Sequence, residues 1–172
     1  MRFTSGLVLL VSALSVAALA PRAKRQTTPP SAGDDSGVII SPSDGTSVTA
    51  GDPFDFSVQN SPRYSSICHA PWTPVHVYLL AAKPTTADLN STFGFSEYLY
   101  YFGDYILNLD GIPPPPNDPT APPPPILTTP NLGTPFSGST VYIAVVEELS
   151  QCDPLEDHAD YALDSRALAY TE

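Results

Sequence analysis

Positive charge is scarce in this 172-residue chain, where 7 Lys and Arg stand against 18 Asp and Glu and the formal net charge is −11. Nucleic-acid binding rests on Lys and Arg neutralising phosphates, so that class of partner is excluded. Methionine and tryptophan occur once each and cysteine twice. With so little Met and Lys and as many as 21 prolines, a helical bundle is not expected. Charged residues make up only 15% of the chain and hydrophobic ones 42%, a balance that allows a packed core in one domain of ordinary size. No apolar run reaches the roughly 20 residues that a membrane-spanning helix requires.

What apolar run there is lies at the start. Arg2 is followed by Leu7 to Ala20, ending in Ala18-Leu19-Ala20. A positive start, a short apolar stretch and an A-x-A end describe a secretory signal peptide over residues 1–20, with Ala20 at the cut. Pro21 to Arg25 then reads as a short propeptide, because Lys24-Arg25 resembles the dibasic site of kexin-type proteases. Cleavage there leaves 147 residues, in which Arg63, Lys83 and Arg166 face 18 acids for a net charge of −15. With no apolar tail after Tyr170, no GPI anchor is expected. The expected product is a secreted, extracellular polyanion, monomeric and without a membrane anchor.

In an oxidising compartment the pair Cys68 and Cys152 is expected to form a disulfide. Closing so long a loop contributes roughly 4–5 kcal/mol by chain entropy. A metal site is not expected: His69, His76 and His158 follow no ligand spacing, and structural zinc wants four ligands. No cofactor is implied.

Residues 26–37 are rich in Thr, Pro, Ser, Gly and Asp and read as a flexible arm. A single domain over residues 38–172 follows. Val38-Ile39-Ile40 is a short strand, with turns at Pro42 to Gly45 and at Gly51. Phe54, Phe56 and Val58 alternate with polar residues, the mark of a half-buried strand. Val75, Val77 and Leu79 share one face of a third strand, with His76 and Tyr78 on the other. Val141, Ile143 and Val145 define another, and Ile126 to Thr128 a weaker one. Tyr161 to Tyr170 reads as a last strand, although Leu163, Ala167 and Tyr170 also fit helical spacing. Short strands between Gly and Pro turns predict an all-β sandwich of immunoglobulin-like or fibronectin-III-like type, with a long Pro-rich loop at residues 112–135. In that order Cys68 and Cys152 fall in two loops at one end of the sandwich.

Ile39-Ile40-Ser41-Pro42 with Asp44-Gly45-Thr46-Ser47-Val48-Thr49-Ala50-Gly51 resembles the opening of secreted fungal immunoglobulin-like domains. Among these are yeast cell-wall proteins of β-1,6-glucan assembly and their Ser/Thr-rich GPI-anchored relatives. Thr129-Pro130-Asn131-Leu132 and Ser137 to Tyr142 are similar to a later region of the same domains. The chain as a whole also resembles small secreted proteins of basidiomycete fungi. The resemblance implies the sandwich fold and a place at the cell surface or beyond it; the Ser/Thr-rich tail of the wall proteins is missing.

The densest candidate for a ligand surface is the aromatic run from Phe93 to Tyr105. Alternation in a strand would put Tyr98 and Tyr100 on one face, Leu99 and Tyr101 on the other. Tyr98, Tyr100, Tyr101 and Tyr105, with Trp72, can stack on sugar rings, meet a protein partner, or simply cover the core. Four consecutive prolines, twice, favour polyproline II, used as a stiff loop or docked into a partner's aromatic groove. Asn90-Ser91-Thr92 is the single N-glycosylation acceptor, since Asn60-Ser61-Pro62 ends in Pro.

Catalytic signatures are missing. There is no G-x-S-x-G and no Ser/His/Asp set. Asp35-Ser36-Gly37 has the letters of an aspartic protease motif without a preceding apolar strand or a second copy. Glu147 and Glu148 are neighbours, so in a strand they point to opposite faces and cannot flank one glycosidic bond. The expectation is therefore a secreted, non-enzymatic binding or effector-like module for a polysaccharide or an extracellular protein. The alternative is a secreted hydrolase with an unrecognised site.

Overall fold

The computed structural model describes residues 39–59, 72–90, 92, 94–108, 121–148 and 161–172. Ala20, Lys24, Arg25, the arm at 26–37, Cys68, Cys152 and the proline run Pro113 to Pro119 lie outside the described residues. The described chain is all-β, with nine strands and two short 3₁₀ turns. The strands are β1 (Ile39–Ser41), β2 (Thr46–Thr49), β3 (Pro53–Asp55), β4 (Ser57–Val58), β5 (Trp72–Leu80), β6 (Tyr100–Asn108), β7 (Ile126–Thr128), β8 (Thr140–Glu148) and β9 (Tyr161–Thr171). Five of them form one sheet in the order β2-β9-β8-β5-β6, antiparallel throughout except that β2 runs parallel to β9. Two small antiparallel ladders, β1-β4 and β3-β7, complete the set.

Alternation decides which face each side chain takes. Val75, Val77 and Leu79 of β5, Val141, Ile143 and Val145 of β8, and Leu168 and Tyr170 of β9 point inward. They meet Ile39, Phe56 and Leu127 from the small ladders in one buried cluster. The same strands send Tyr78, Leu80, Ala144, Val146 and Tyr161 outward, where Phe95 from the β5–β6 connection packs over them. The large sheet is thus covered on one face by the small ladders and on part of the other by Leu89 and Phe95.

Tyr161 to Tyr170 is a strand. Leu163 joins the outer cluster while Leu168 and Tyr170 join the inner one, so the helical spacing of Leu163, Ala167 and Tyr170 is coincidental. The Phe54–Val58 strand is one extended segment serving two partners: β3 pairs β7, β4 pairs β1, and Phe56 between them is buried. The described part of the Pro-rich stretch is not a uniform loop, since β7 lies within it and the turn Thr134–Phe136 begins at its end. Strand β2 sits where the sequence suggests only turns. Its backbone is held by Thr171 and Ala167 of β9, a long-range partner that local pattern does not reveal.

Two polar devices fasten the last strand. Asp164, almost fully buried, accepts the Ile39 amide at 2.9 Å and the Arg166 guanidinium at 2.6 Å, while Arg166 donates to the Ile39 carbonyl at 2.9 Å. The Tyr170 hydroxyl accepts the Leu132 amide at 2.9 Å and donates to the Pro130 carbonyl at 3.2 Å. Each buried polar group so paired avoids the cost of desolvation without a partner.

Candidate functional site

The outer face of the large sheet carries the two features with chemical potential. The first is a ring cluster at the Leu80 end of β5. Tyr78 lies between Tyr101 (centroids 4.8 Å apart), Phe95 (5.1 Å) and Tyr98 (5.7 Å). Tyr78 and Phe95 are buried, whereas Tyr98 is 52% exposed. Beside this cluster the chain folds a groove of about 630 Å³, lined among others by Leu80, Lys83, Asp88, Phe95, Glu97 and Tyr98. One of its polar groups is held in place: Asp88 accepts the Thr85 amide at 2.7 Å and the Thr85 hydroxyl at 2.8 Å. These bonds hold the exposed Asp88 carboxyl below its ordinary range.

The alternation expected across Tyr98–Tyr101 does not occur. Strand β6 begins only at Tyr100, after bends at Ser96, Glu97 and Leu99, so Tyr98 is free of the strand's period and sits with Tyr101. Tyr100 instead contacts Phe102 (5.0 Å), which meets Phe54 (6.3 Å), and Leu99 packs on the inner cluster. A bulge then resets the face. Val77 pairs with Gly103 and Tyr78 with Tyr101, leaving Phe102 as the extra residue. Gly103 takes φ 132°, a conformation that L side chains rarely adopt. Tyr105 is half-buried against the inner core, its hydroxyl donating to the Phe102 carbonyl. Trp72, half-buried at the far end of β5, is six residues or about 20 Å along the strand from Tyr78. Of the five proposed ligand residues, only Tyr98 and Tyr101 come together.

The second feature was not singled out from sequence. His76, midway along β5, is bound by Asp104 of β6 through Nδ1 and by Glu148 of β8 through Nε2, the latter at 2.6 Å. The Tyr101 hydroxyl donates to the same Asp104 oxygen. Burial works against the imidazolium, but the bonds to Glu148 and Asp104 outweigh it and raise the His76 pKa above its usual 6.5. Burial likewise opposes ionisation of Asp104, and the Tyr101 and His76 bonds reverse that, taking its pKa below 3.8. Tyr101, partly buried and beside that carboxylate, has its pKa pushed far up. The outward position of His76 follows from period two; its partners come from strands 28 and 72 residues away.

Glu147 points the opposite way from Glu148, as adjacent strand residues must. Glu147 is fully buried and accepts the Thr73 hydroxyl at 2.6 Å. Among the described residues no group of three His, Cys, Asp or Glu side chains is placed to hold a metal ion. No helix among them is long and apolar enough to cross a membrane. No protein-family model, curated protein or solved structure matches this chain.

Proposed function

We propose that this protein is a secreted, non-enzymatic binding module of immunoglobulin-like type that holds a polysaccharide on the Tyr98 groove. The fold part rests on strand order. β9-β8-β5-β6 corresponds to the G-F-C-C′ sheet of such domains, and β1-β4 with β3-β7 to the facing A-B and B-E pairings. The signal-like start, the dibasic site and the resemblance to fungal surface proteins support secretion. β5 begins four residues after Cys68 and β8 ends four residues before Cys152. As these strands are antiparallel neighbours, the chain leaves them at one end of the sheet, which favours a disulfide tying the two loops.

The observation that carries the ligand reading is Tyr98: a half-exposed ring, backed by buried rings, at a groove in which Asp88 is held by Thr85. The apolar face of a pyranose stacks on such a ring while carboxylates and Lys83 bond its hydroxyls, the usual division between apolar lining and a few placed polar groups. The net negative charge disfavours acidic polysaccharides. The test is retention of the secreted protein on insoluble β-glucan, chitin and cellulose. Retention on at least one is expected, falling about tenfold in Tyr98→Ala at unchanged melting temperature; no retention on any would refute the reading.

The hydrolase alternative draws on His76 with its two carboxylates. Both ring nitrogens are engaged by them, so neither is open to a substrate proton, and the arrangement serves better as a strand clamp. Turnover of a polymer, abolished by Glu148→Gln with the fold intact, would reverse this preference.

A further inference from the structure

Charge is divided unevenly along the Tyr98 groove. Asp88 and Glu97 line it, both exposed, against Lys83 as its single basic side chain. The antiparallel bridge between Leu89 and Phe95 sets Asp88 opposite Ser96, next to Glu97, so the two acids share one stretch of the wall. Asp88 is aimed by the turn it belongs to. Its Oδ2 accepts both the Thr85 amide and the Thr85 hydroxyl, and its own amide donates to the Thr85 carbonyl at 3.1 Å. Oδ1 accepts nothing among the described residues, which leaves an open oxygen on an anchored carboxyl. The Thr85 bonds favour the charged form, so the group stays a carboxylate in mildly acid solution. Neither acid is neutralised by the chain. Among the described residues no ion pair joins Lys83 to Asp88 or Glu97, and the other described Lys or Arg, Arg166, is bound to Asp164.

We propose that the Tyr98 groove selects a polysaccharide of protonated amino sugars, with Tyr98 stacked on a pyranose face and Asp88 and Glu97 holding the ammonium groups. The inference rests on the polysaccharide reading of the same groove and names its ligand class. Sugar hydroxyls alone leave the negative charge of the groove uncompensated, whereas ammonium groups on the sugar compensate it. Tyr98 adds a second attraction. Its ring, 52% exposed and backed by Tyr78 at 5.7 Å and Tyr101 at 6.1 Å, offers a cation the electron-rich face of an aromatic. The net charge of −11 draws a polycation toward the whole molecule. Lys83 keeps the part of a hydrogen-bond donor to sugar oxygens. A Lys-rich peptide would answer the charge but lacks the flat apolar face on which the ring stacks.

The experiment titrates the secreted full-length protein with β-linked glucosamine oligomers and with the same oligomers N-acetylated, in mildly acid buffer where the free amines are protonated. At low salt the amine form should bind about tenfold more tightly, and added NaCl should close that gap. Asp88→Asn keeps an oxygen for the Thr85 amide and removes the charge. This variant and Glu97→Gln should each weaken the amine form about three- to fivefold and leave the N-acetylated form unchanged. Tyr98→Ala should weaken both forms. Equal binding of the two forms, with both still weakened in Tyr98→Ala, would overturn the inference and leave the polysaccharide reading standing. Binding of neither would overturn both. Amine binding that survives Tyr98→Ala, or that an oligolysine of equal charge matches, would show a diffuse attraction and would also overturn the inference.

Discussion

Replacing His76 by Gln should remove a clamp across three strands, and its pH dependence identifies the cause. In the native protein the imidazolium lies between Asp104 on β6 and Glu148 on β8, with the Tyr101 hydroxyl on Asp104 and the Tyr78 ring alongside. The His76 side chain is 16% exposed, Glu148 23% and Asp104 51%. Pairs this open are screened by water, so each ion pair contributes about 0.5–1 kcal/mol and the two together roughly 1–2 kcal/mol. For a chain of this length that is a loss of roughly 2–8 °C in melting temperature. The sign is fixed by the shifts. The His76 pKa is raised when folded, so its contribution is complete below 6.5 and disappears as pH rises through the folded value. The Asp104 pKa is lowered when folded, so its contribution is complete above 3.8 and disappears as pH falls through the folded value. Thermal melts of native and His76→Gln protein from pH 3 to 9 should therefore differ most between about pH 4 and 6.5 and converge toward pH 9. Taking the difference between the two proteins cancels the titration of His69 and His158. A gap that stays constant, or widens above neutrality, would refute the clamp.

Tyr170→Phe leaves the Leu132 amide and Pro130 carbonyl without their shared hydroxyl and should cost about 1–3 kcal/mol in urea unfolding, with an unchanged m-value. Asp164→Ala removes the carboxylate partner of Arg166 and leaves the Ile39 amide without its acceptor, and should cost about 3–5 kcal/mol in urea unfolding. Gly103→Ala forces a side chain into φ 132° at the β6 bulge and should cost about 1–3 kcal/mol, visible as a lower melting temperature. Peptide mapping without reductant should recover Cys68 and Cys152 in one linked pair; two free thiols would remove the proposed tie between the loops.

The strands that carry a clean period of two were legible before any coordinates: Val75, Val77 and Leu79 do face inward, and Val141, Ile143 and Val145 do pack beside them. These residues are decided locally, because a strand with one apolar face has only one way to bury it. Strand β2 was not legible, because Thr46-Ser47-Val48-Thr49 has one apolar residue and owes its conformation to β9, 122 positions away at its Thr49–Thr171 contact. The Tyr98–Tyr101 pattern failed for a related reason. Alternation presumes that the strand has already begun and that no residue is inserted, and here it begins at Tyr100 and bulges at Phe102.

The clamp on His76 shows where sequence reading of a site reaches its limit. Period two put His76 on the outward face and separated Glu148 from Glu147, and both placements hold. What no spacing contains is register. Asp104 meets His76 only because β6 pairs with β5 at that step, and the bulge at Phe102 keeps Tyr101 and Asp104 on one face although they lie three residues apart. Without the extra residue, period two would put Tyr101 and Asp104 on opposite faces and the hydroxyl could not reach the carboxylate. Gly103 makes the bulge possible, so a residue with no side chain brings together the proton-binding groups of this face. An Ala at position 103 should therefore disturb the His76 titration as well as the fold. In a variant that still folds, the imidazole C–H resonances followed by NMR should titrate closer to 6.5 than in the native protein. A midpoint unchanged in Gly103→Ala would mean that the strands reach this register without the bulge.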